Sequence, residues 1–148
     1  MRFQKGQAIV EFALLLPLFL ILLFGILYTG MIMADYLTLS SMARSSAREA
    51  AVISTEKYKQ SKYSTVISNY SNKELPVDIF TWDPTKDKYF KITYEKNSRN
   101  VKVEIKADLN KKKVGYKVAS VMDSIAGSNM KNMELNVTYT MFSEHELE

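Results

Sequence analysis

The sequence predicts an α+β protein. One long N-terminal helix crosses a membrane, continues beyond it as a stalk, and packs on a small antiparallel sheet. Three observations predict this. Residues 12–34 are 23 consecutive residues without a charge. Residues 36–54 contain no Pro or Gly and are dominated by good helix formers. Further on, residues 88–95 and 101–108 alternate apolar and polar side chains with period two, the signature of strands with one buried face.

The apolar run comes first in the chain. At about 1.5 Å per residue it spans roughly 34 Å, slightly more than the ~30 Å core of a bilayer. Leu14 to Leu16 and Leu18 to Phe24 make it apolar all round, which suits a helix in lipid better than one lying on a surface. Arg2 and Lys5 precede the run and the first charge after it is Asp35. The positive-inside bias therefore places the N-terminus in the cytoplasm and the remainder outside. The competing reading is a secretory signal cut near Ala34. Such signals have apolar cores of about 7–15 residues, and Ile32-Met33-Ala34 is a poor small-residue cleavage site.

Beyond the run, residues 35–148 carry 18 Lys/Arg and 15 Asp/Glu and should be water-soluble. The net charge of the whole chain, +4, is modest and dispersed, which does not read as a nucleic-acid patch. The densest basic run, Lys111-Lys112-Lys113, reads as a solvated loop, with contact to anionic lipid or a polyanion as the alternative. The chain has no cysteine, which excludes disulfides, thiolate metal sites and a Cys nucleophile.

Glu11 lies at the lip of the apolar run, where a carboxylate drawn into lipid costs several kcal/mol unless paired or protonated. It is the fifth residue after Gly6. A short basic leader, a glycine, a glutamate five residues on and a long apolar helix resemble a type IV prepilin signal. The resemblance implies cleavage by a prepilin peptidase between Gly6 and Gln7, with the helix kept on the mature protein. It also implies an assembly role for Glu11, pairing with the new α-amino group of a neighbouring subunit. Each charge is expensive in lipid and the pair is less so.

The run Gly6-Gln7-Ala8-Ile9-Val10-Glu11-Phe12-Ala13-Leu14-Leu15-Leu16-Pro17 further resembles the opening of the TadE-like family, G-Q-x-x-V-E-F-A-L-x-L-P. The likeness continues to Ala43-Arg44-Ser45-Ser46-Ala47-Arg48-Glu49-Ala50-Ala51, where the family commonly shows an A-R-E-A/G-A run. It covers about the first third of the chain. Members are minor pilins or pseudopilins of the Tad (type IVc) machinery. The resemblance implies a non-enzymatic, single-pass protein of the cytoplasmic membrane that helps assemble a thin adhesive pilus. Its partners would be other pilin subunits and Tad assembly proteins. It also implies the general lollipop shape of pilin-like proteins. The alternatives are a minor pseudopilin of a type II secretion or competence system, or an anchored ligand-binding or enzymatic head.

Within the helix, Pro17 removes one N–H and leaves the Ala13 carbonyl short of a partner. This usually kinks a helix. Past the membrane, Ala43, Ala47 and Ala51 recur every four residues and give one face small enough for another backbone to approach. That partner is either the head of the same chain or another subunit. Five segments are thus expected: a leader (1–6), a membrane helix (7–34), a stalk (35–54), a small α+β head (55–142) and a polar, fraying tail (143–148).

Inside the head, residues 56–70 suit a short second helix. Val77, Ile79, Phe80 and Trp82 form a β-prone run ended by Asp83-Pro84. Phe90, Ile92 and Tyr94 face inward from one strand, and Val101, Val103, Ile105 and Ala107 from its hairpin partner across a turn at 96–100. Residues 114–125 suit a helix with Val114, Val118, Val121, Met122 and Ile125 on one side and Gly127 at its end. Leu135, Val137, Tyr139 and Met141 mark a last strand.

Catalytic, cofactor and metal signals do not rise above background. His145 is the single histidine, which argues against a His-based triad or metal site. Asp83, Asp87 and Asp108 lack the spacing of a cation loop, and five glycines include no phosphate-binding run. Trp82 with Phe80, Tyr89 and Phe90 reads as packing or, failing that, an exposed binding patch.

Overall fold

The computed structural model describes residues 2–77 and 79–147. The expectations that fall on Met1, Asp78 and Glu148, and on the side chains of Arg2 and Lys5, lie outside the described residues. The elements are α1 (Arg2–Ala51), α2 (Thr55–Ser61), α3 (Ser64–Asn69), β1 (Phe80–Thr81), β2 (Phe90–Glu95), β3 (Asn100–Leu109), α4 (Val114–Ala126), a 3-10 turn (Met130–Asn132) and β4 (Glu134–Phe142).

Helix α1 has 50 residues, about 75 Å of rise, and continues through Pro17. Its first part stands clear of the rest, and side chains 7–27 are all exposed. The most apolar 18-residue stretch has a mean hydropathy of 2.7 with none of it buried, so α1 is long and apolar enough to cross a membrane. From Tyr28 on, one face is covered: Tyr28 and Ile32 partly, then Asp35, Leu39, Met42, Ala43, Ser46, Ala47 and Ala50 buried. Steps of three and four keep these residues on one stripe.

That stripe packs on an antiparallel four-stranded sheet centred on β3. Strand β4 pairs along one edge of β3, from Asn100↔Phe142 to Asp108↔Glu134. The other edge is shared by β2 (Glu95↔Asn100 to Phe90↔Ile105) and β1 (Thr81↔Asp108, Phe80↔Leu109). The period-two alternation does what it predicts. Val101, Val103, Ile105, Ala107 and Leu109 are buried towards α1, while the residues between them stay partly in water. Leu39, Met42, Ala43, Ala47 and Ala50 of α1 belong to the same buried cluster as Phe80, Phe90, Val137 and the β3 residues. Without a covering helix the sheet would have one wet apolar face, and α1 supplies the cover.

Several segments differ from expectation, each for a local reason. Residues 56–70 form two helices rather than one, because Lys62 adopts φ 50° between them. Strand β2 starts at Phe90, not Lys88. The preceding residues make turns in which the Tyr89 and Phe90 N–H groups both reach the Lys86 carbonyl (2.9 and 3.1 Å). Hydrogen bonds from Thr85 and the Lys86 ammonium (2.9 Å) hold the Asp83 carboxyl down at about 2. Residues 143–147 pack on the end of α1 and the start of α2. Leu147 and Ser143 are buried, the Glu144 N–H donates to the Ala51 carbonyl (2.9 Å), and the Thr55 hydroxyl donates to the Glu146 carbonyl (3.1 Å). The tail thereby satisfies a carbonyl that the end of α1 leaves without a helical partner.

Because Ala47 is fully buried between α1 and the sheet, Ala47→Leu should destabilise the chain by about 1–3 kcal/mol through overpacking. Denaturant unfolding of the detergent-solubilised protein, followed by the Trp82 signal, measures this. The same exchange at Ala13, which is exposed, should leave the midpoint unchanged.

Candidate functional site

The residues singled out in the sequence fall in two places. Gly6, Gln7, Glu11 and Pro17 lie in the free part of α1, where the side chains of the last three are exposed. Ala43, Ala47 and Ala51 are buried, with Ala43 and Ala47 in the core cluster under the sheet. Glu11 and Ala43 stand about 48 Å apart along the helix, so these groups do not form one site.

At the free end, the four-residue spacing puts Gln7 and Glu11 one turn apart on one face. The Gln7 side-chain amide donates to a Glu11 carboxylate oxygen at 3.1 Å, in the open. The carboxylate therefore has a local donor before any neighbour approaches.

A second polar feature escapes sequence reasoning. Asp35, in sequence merely the first charge after the apolar run, is fully buried. Its Oδ1 accepts the Val77 N–H (3.1 Å), and its Oδ2 accepts those of Ile79 (3.1 Å) and Phe80 (3.2 Å). Three hydrogen bonds thus tie the loop before β1 to the helix at the point where the apolar run ends. They also explain why the β-prone run shrinks to Phe80–Thr81, since the amides that would extend the ladder are committed to Asp35. A lone carboxylate between Ala34 and Tyr36, with no other acidic residue until Glu49, was the available signal.

Below this attachment lies the start of α4. The Tyr28 hydroxyl donates to the Gly115 carbonyl (3.2 Å). A Cβ on Gly115 would stand 2.9 Å from Ile79 Cγ2 and 3.5 Å from the Tyr28 oxygen, so glycine alone fits this contact. At its other end α4 stops at Gly127, whose φ of 63° suits a residue without Cβ. Removal from water works against ionised Asp123. Its bonds from Ser128 and from the Met130 and Lys131 N–H groups outweigh this and hold its pKa below the ordinary value. This tie is complete above the ordinary carboxylate range and is lost as pH falls through the lowered pKa.

Groups with chemical potential are used elsewhere in the fold. Asp108 accepts from Lys88 (2.5 Å) and the Tyr89 hydroxyl (2.8 Å) at the base of the hairpin. The Trp82 ring meets Phe90 at 6.1 Å while its N–H donates to the Lys73 carbonyl (3.0 Å). Among the described residues no group of three or more His, Cys, Asp or Glu side chains is placed to hold a metal ion. One surface hollow, lined by Lys73, Glu74, Leu75, Phe80, Thr81 and Trp82, brings only two charged side chains together.

The run from Gly6 through Glu11 and Asp35 to Arg48 is the part of the chain that known proteins share. Residues 6–48 match the family model of TadE-like protein. That family is one of pilus components, and the match covers less than a third of the chain. No curated protein and no solved structure matches the chain. The TadE-like segment comprises the exposed apolar helix, Asp35 and most of the stripe under the sheet, and it ends three residues before α1 does.

Within the TadE-like segment, Asp35→Ala would leave three N–H groups at a largely buried position without an acceptor. The expected cost is about 3 kcal/mol or more. The amides of Val77, Ile79 and Phe80 should then exchange hydrogen faster than those of β3, as measured by exchange mass spectrometry or NMR in detergent.

Proposed function

We propose that this chain is a minor pilin or pseudopilin of the Tad pilus, a non-enzymatic subunit held in the cytoplasmic membrane by residues 7–34. Its N-terminus is cytoplasmic and its head extracytoplasmic. One observation carries the reading. The TadE-like match over residues 6–48 coincides with a single helix that is apolar and exposed at one end and buried in the head at the other.

In this reading a prepilin peptidase cuts between Gly6 and Gln7. The cut creates an α-amino group on Gln7. Such groups ordinarily titrate near about 8, so this one is largely protonated. The new cation lies one turn from Glu11 of its own chain and within reach of Glu11 of a neighbour drawn alongside. In lipid, a carboxylate between two such cations is far less costly than one alone, which favours insertion beside an assembled subunit. Pro17, in the first third of the run, orients this end of the helix. Ala43, Ala47 and Ala51 belong to the attachment of the head, which leaves the other faces of the stalk for neighbouring subunits.

N-terminal sequencing of the protein recovered from membranes tests the processing step. The expected start is Gln7, dependent on the peptidase, whereas an intact Met1 or a start near Asp35 overturns it. A separate measurement tests the pairing. Glu11→Ala should still be cut but should co-purify with pilus subunits on the order of tenfold less, the loss of about 1.4 kcal/mol. Unchanged recovery would sink the charge-pairing role.

A further inference from the structure

We propose that α4 is a membrane-surface helix, its outward apolar stripe resting in the head-side interface of an anionic bilayer. The proposal rests on α1 spanning that bilayer. It begins from an inversion in the helix. Gly115 and Ala119 are the buried positions among the described residues of α4, so two of its smallest residues face the protein. Its large apolar residues face out: Val114 is 73% exposed, Val121 57% and Ile125 78%, with Val118 and Met122 also exposed. Positions 114, 118, 121, 122 and 125 fall on one stripe at helical spacing, and Lys117, Ser120 and Ser124 form a separate polar stripe beside it. Such a contiguous apolar stripe on an otherwise polar head marks an interaction surface.

The level of α4 along α1 identifies what covers that stripe. Counting from residue 7, Tyr28 is the first side chain of α1 that the head shields, and it does so through its bond to Gly115 in the first turn of α4. Tyr28 lies about 24 Å along the helix from Phe12, where the uncharged run begins. An apolar core of about 30 Å starting there ends near residue 32. The first turn of α4 is therefore held at the outer edge of the hydrocarbon, continuous with the exposed surface of the span. Charge agrees with this placement. Lys111 and Lys112, both exposed, lie one residue before the start of α4 at Val114, with Lys113 between, and exposed Lys117 follows in its first turn. An amphipathic helix with apolar side chains on one face and lysines at its border is the composition that binds anionic lipid surfaces.

The absence of cysteine makes single-site labelling of the full chain direct. Nitroxide would be attached at Val121→Cys and Ile125→Cys on the apolar stripe and at Ser120→Cys and Ser124→Cys on the polar one. Leu20→Cys reports the span itself. All five positions are exposed, so the labels leave the core untouched. The protein is placed at one copy per nanodisc of mixed phosphatidylglycerol and phosphatidylcholine, and collision with oxygen is compared with collision with a water-soluble nickel chelate. The expected result is oxygen-dominated relaxation at 20, 121 and 125 and nickel-dominated relaxation at 120 and 124. The contrast at 121 and 125 should shrink when Lys111, Lys112 and Lys117 are all replaced by Gln. Nickel-dominated relaxation at 121 and 125 with oxygen dominance kept at 20 overturns the proposal and leaves the span intact. Nickel dominance at 20 as well overturns the span and, with it, this proposal. Protection at 121 and 125 seen only with several copies per vesicle assigns the stripe to a second copy and likewise overturns it. Indifference to the lysine replacements overturns the anionic-lipid part.

Discussion

A carboxylate buried in a protein must be matched by donors, and Asp35 is matched by three backbone amides from one loop. The rest of the molecule depends on that match. The loop brings β1 to the edge of β3, carries Ile79 to its contact with Gly115, and so positions α4 beside Tyr28. Asp35 also marks a change of surroundings along α1. Before it the side chains are almost all exposed and apolar, and after it one stripe is closed against the sheet. A single charge at that junction gives the head one register on the helix. Sliding by a turn would place an aliphatic or small side chain opposite three unsatisfied N–H groups.

Features that depend on periodicity were legible in the sequence. The uninterrupted apolar run, the breaker-free stretch after it and the alternation of residues 101–108 each reflect one dominant force acting along a short stretch of chain. They yield α1 and the β2–β3 hairpin to within about five residues at each end. What depends on distant pairing was not legible. Nothing near Asp35 in sequence says that amides more than forty residues later will meet it. The β-prone run at 77–82 reads as a longer strand for the same reason. Residues 114–125 show the limit in another form. Their apolar spacing marks a helix with an apolar side, and hydropathy alone assigns that side to the interior. The small residues Gly115 and Ala119 took the interior instead, and at Gly115 an added Cβ would crowd Ile79 and Tyr28. The tail is a similar case, since its hydrogen bonds to Ala51 and Thr55 pair residues about ninety positions apart.

The candidate assembly residues show the same division. The spacing of Gly6, Gln7 and Glu11 is local, and the helix turns it directly into the Gln7–Glu11 hydrogen bond. The Ala43–Ala47–Ala51 stripe is equally visible, yet spacing alone does not choose between the chain's own head and another subunit as its partner. In the structure Ala43 and Ala47 are buried in the cluster under the sheet. The TadE-like match stops at Arg48, so the whole sheet that covers this stripe lies outside the matched residues.

The helix continues unbroken across the point where the apolar run ends, and that continuity has a mechanical meaning. A head joined by a flexible linker would keep its own orientation whatever its anchor did. Here the last 17 residues of α1, Asp35 to Ala51, are at once an extension of the span and the spine of the head, so the two turn together. A span adapts to bilayer thickness by tilting. A tilt of about 10° would carry the far end of that 25 Å spine sideways by roughly 4 Å. Were α1 to cross a bilayer, the orientation of the sheet would follow the tilt of the helix beyond Pro17.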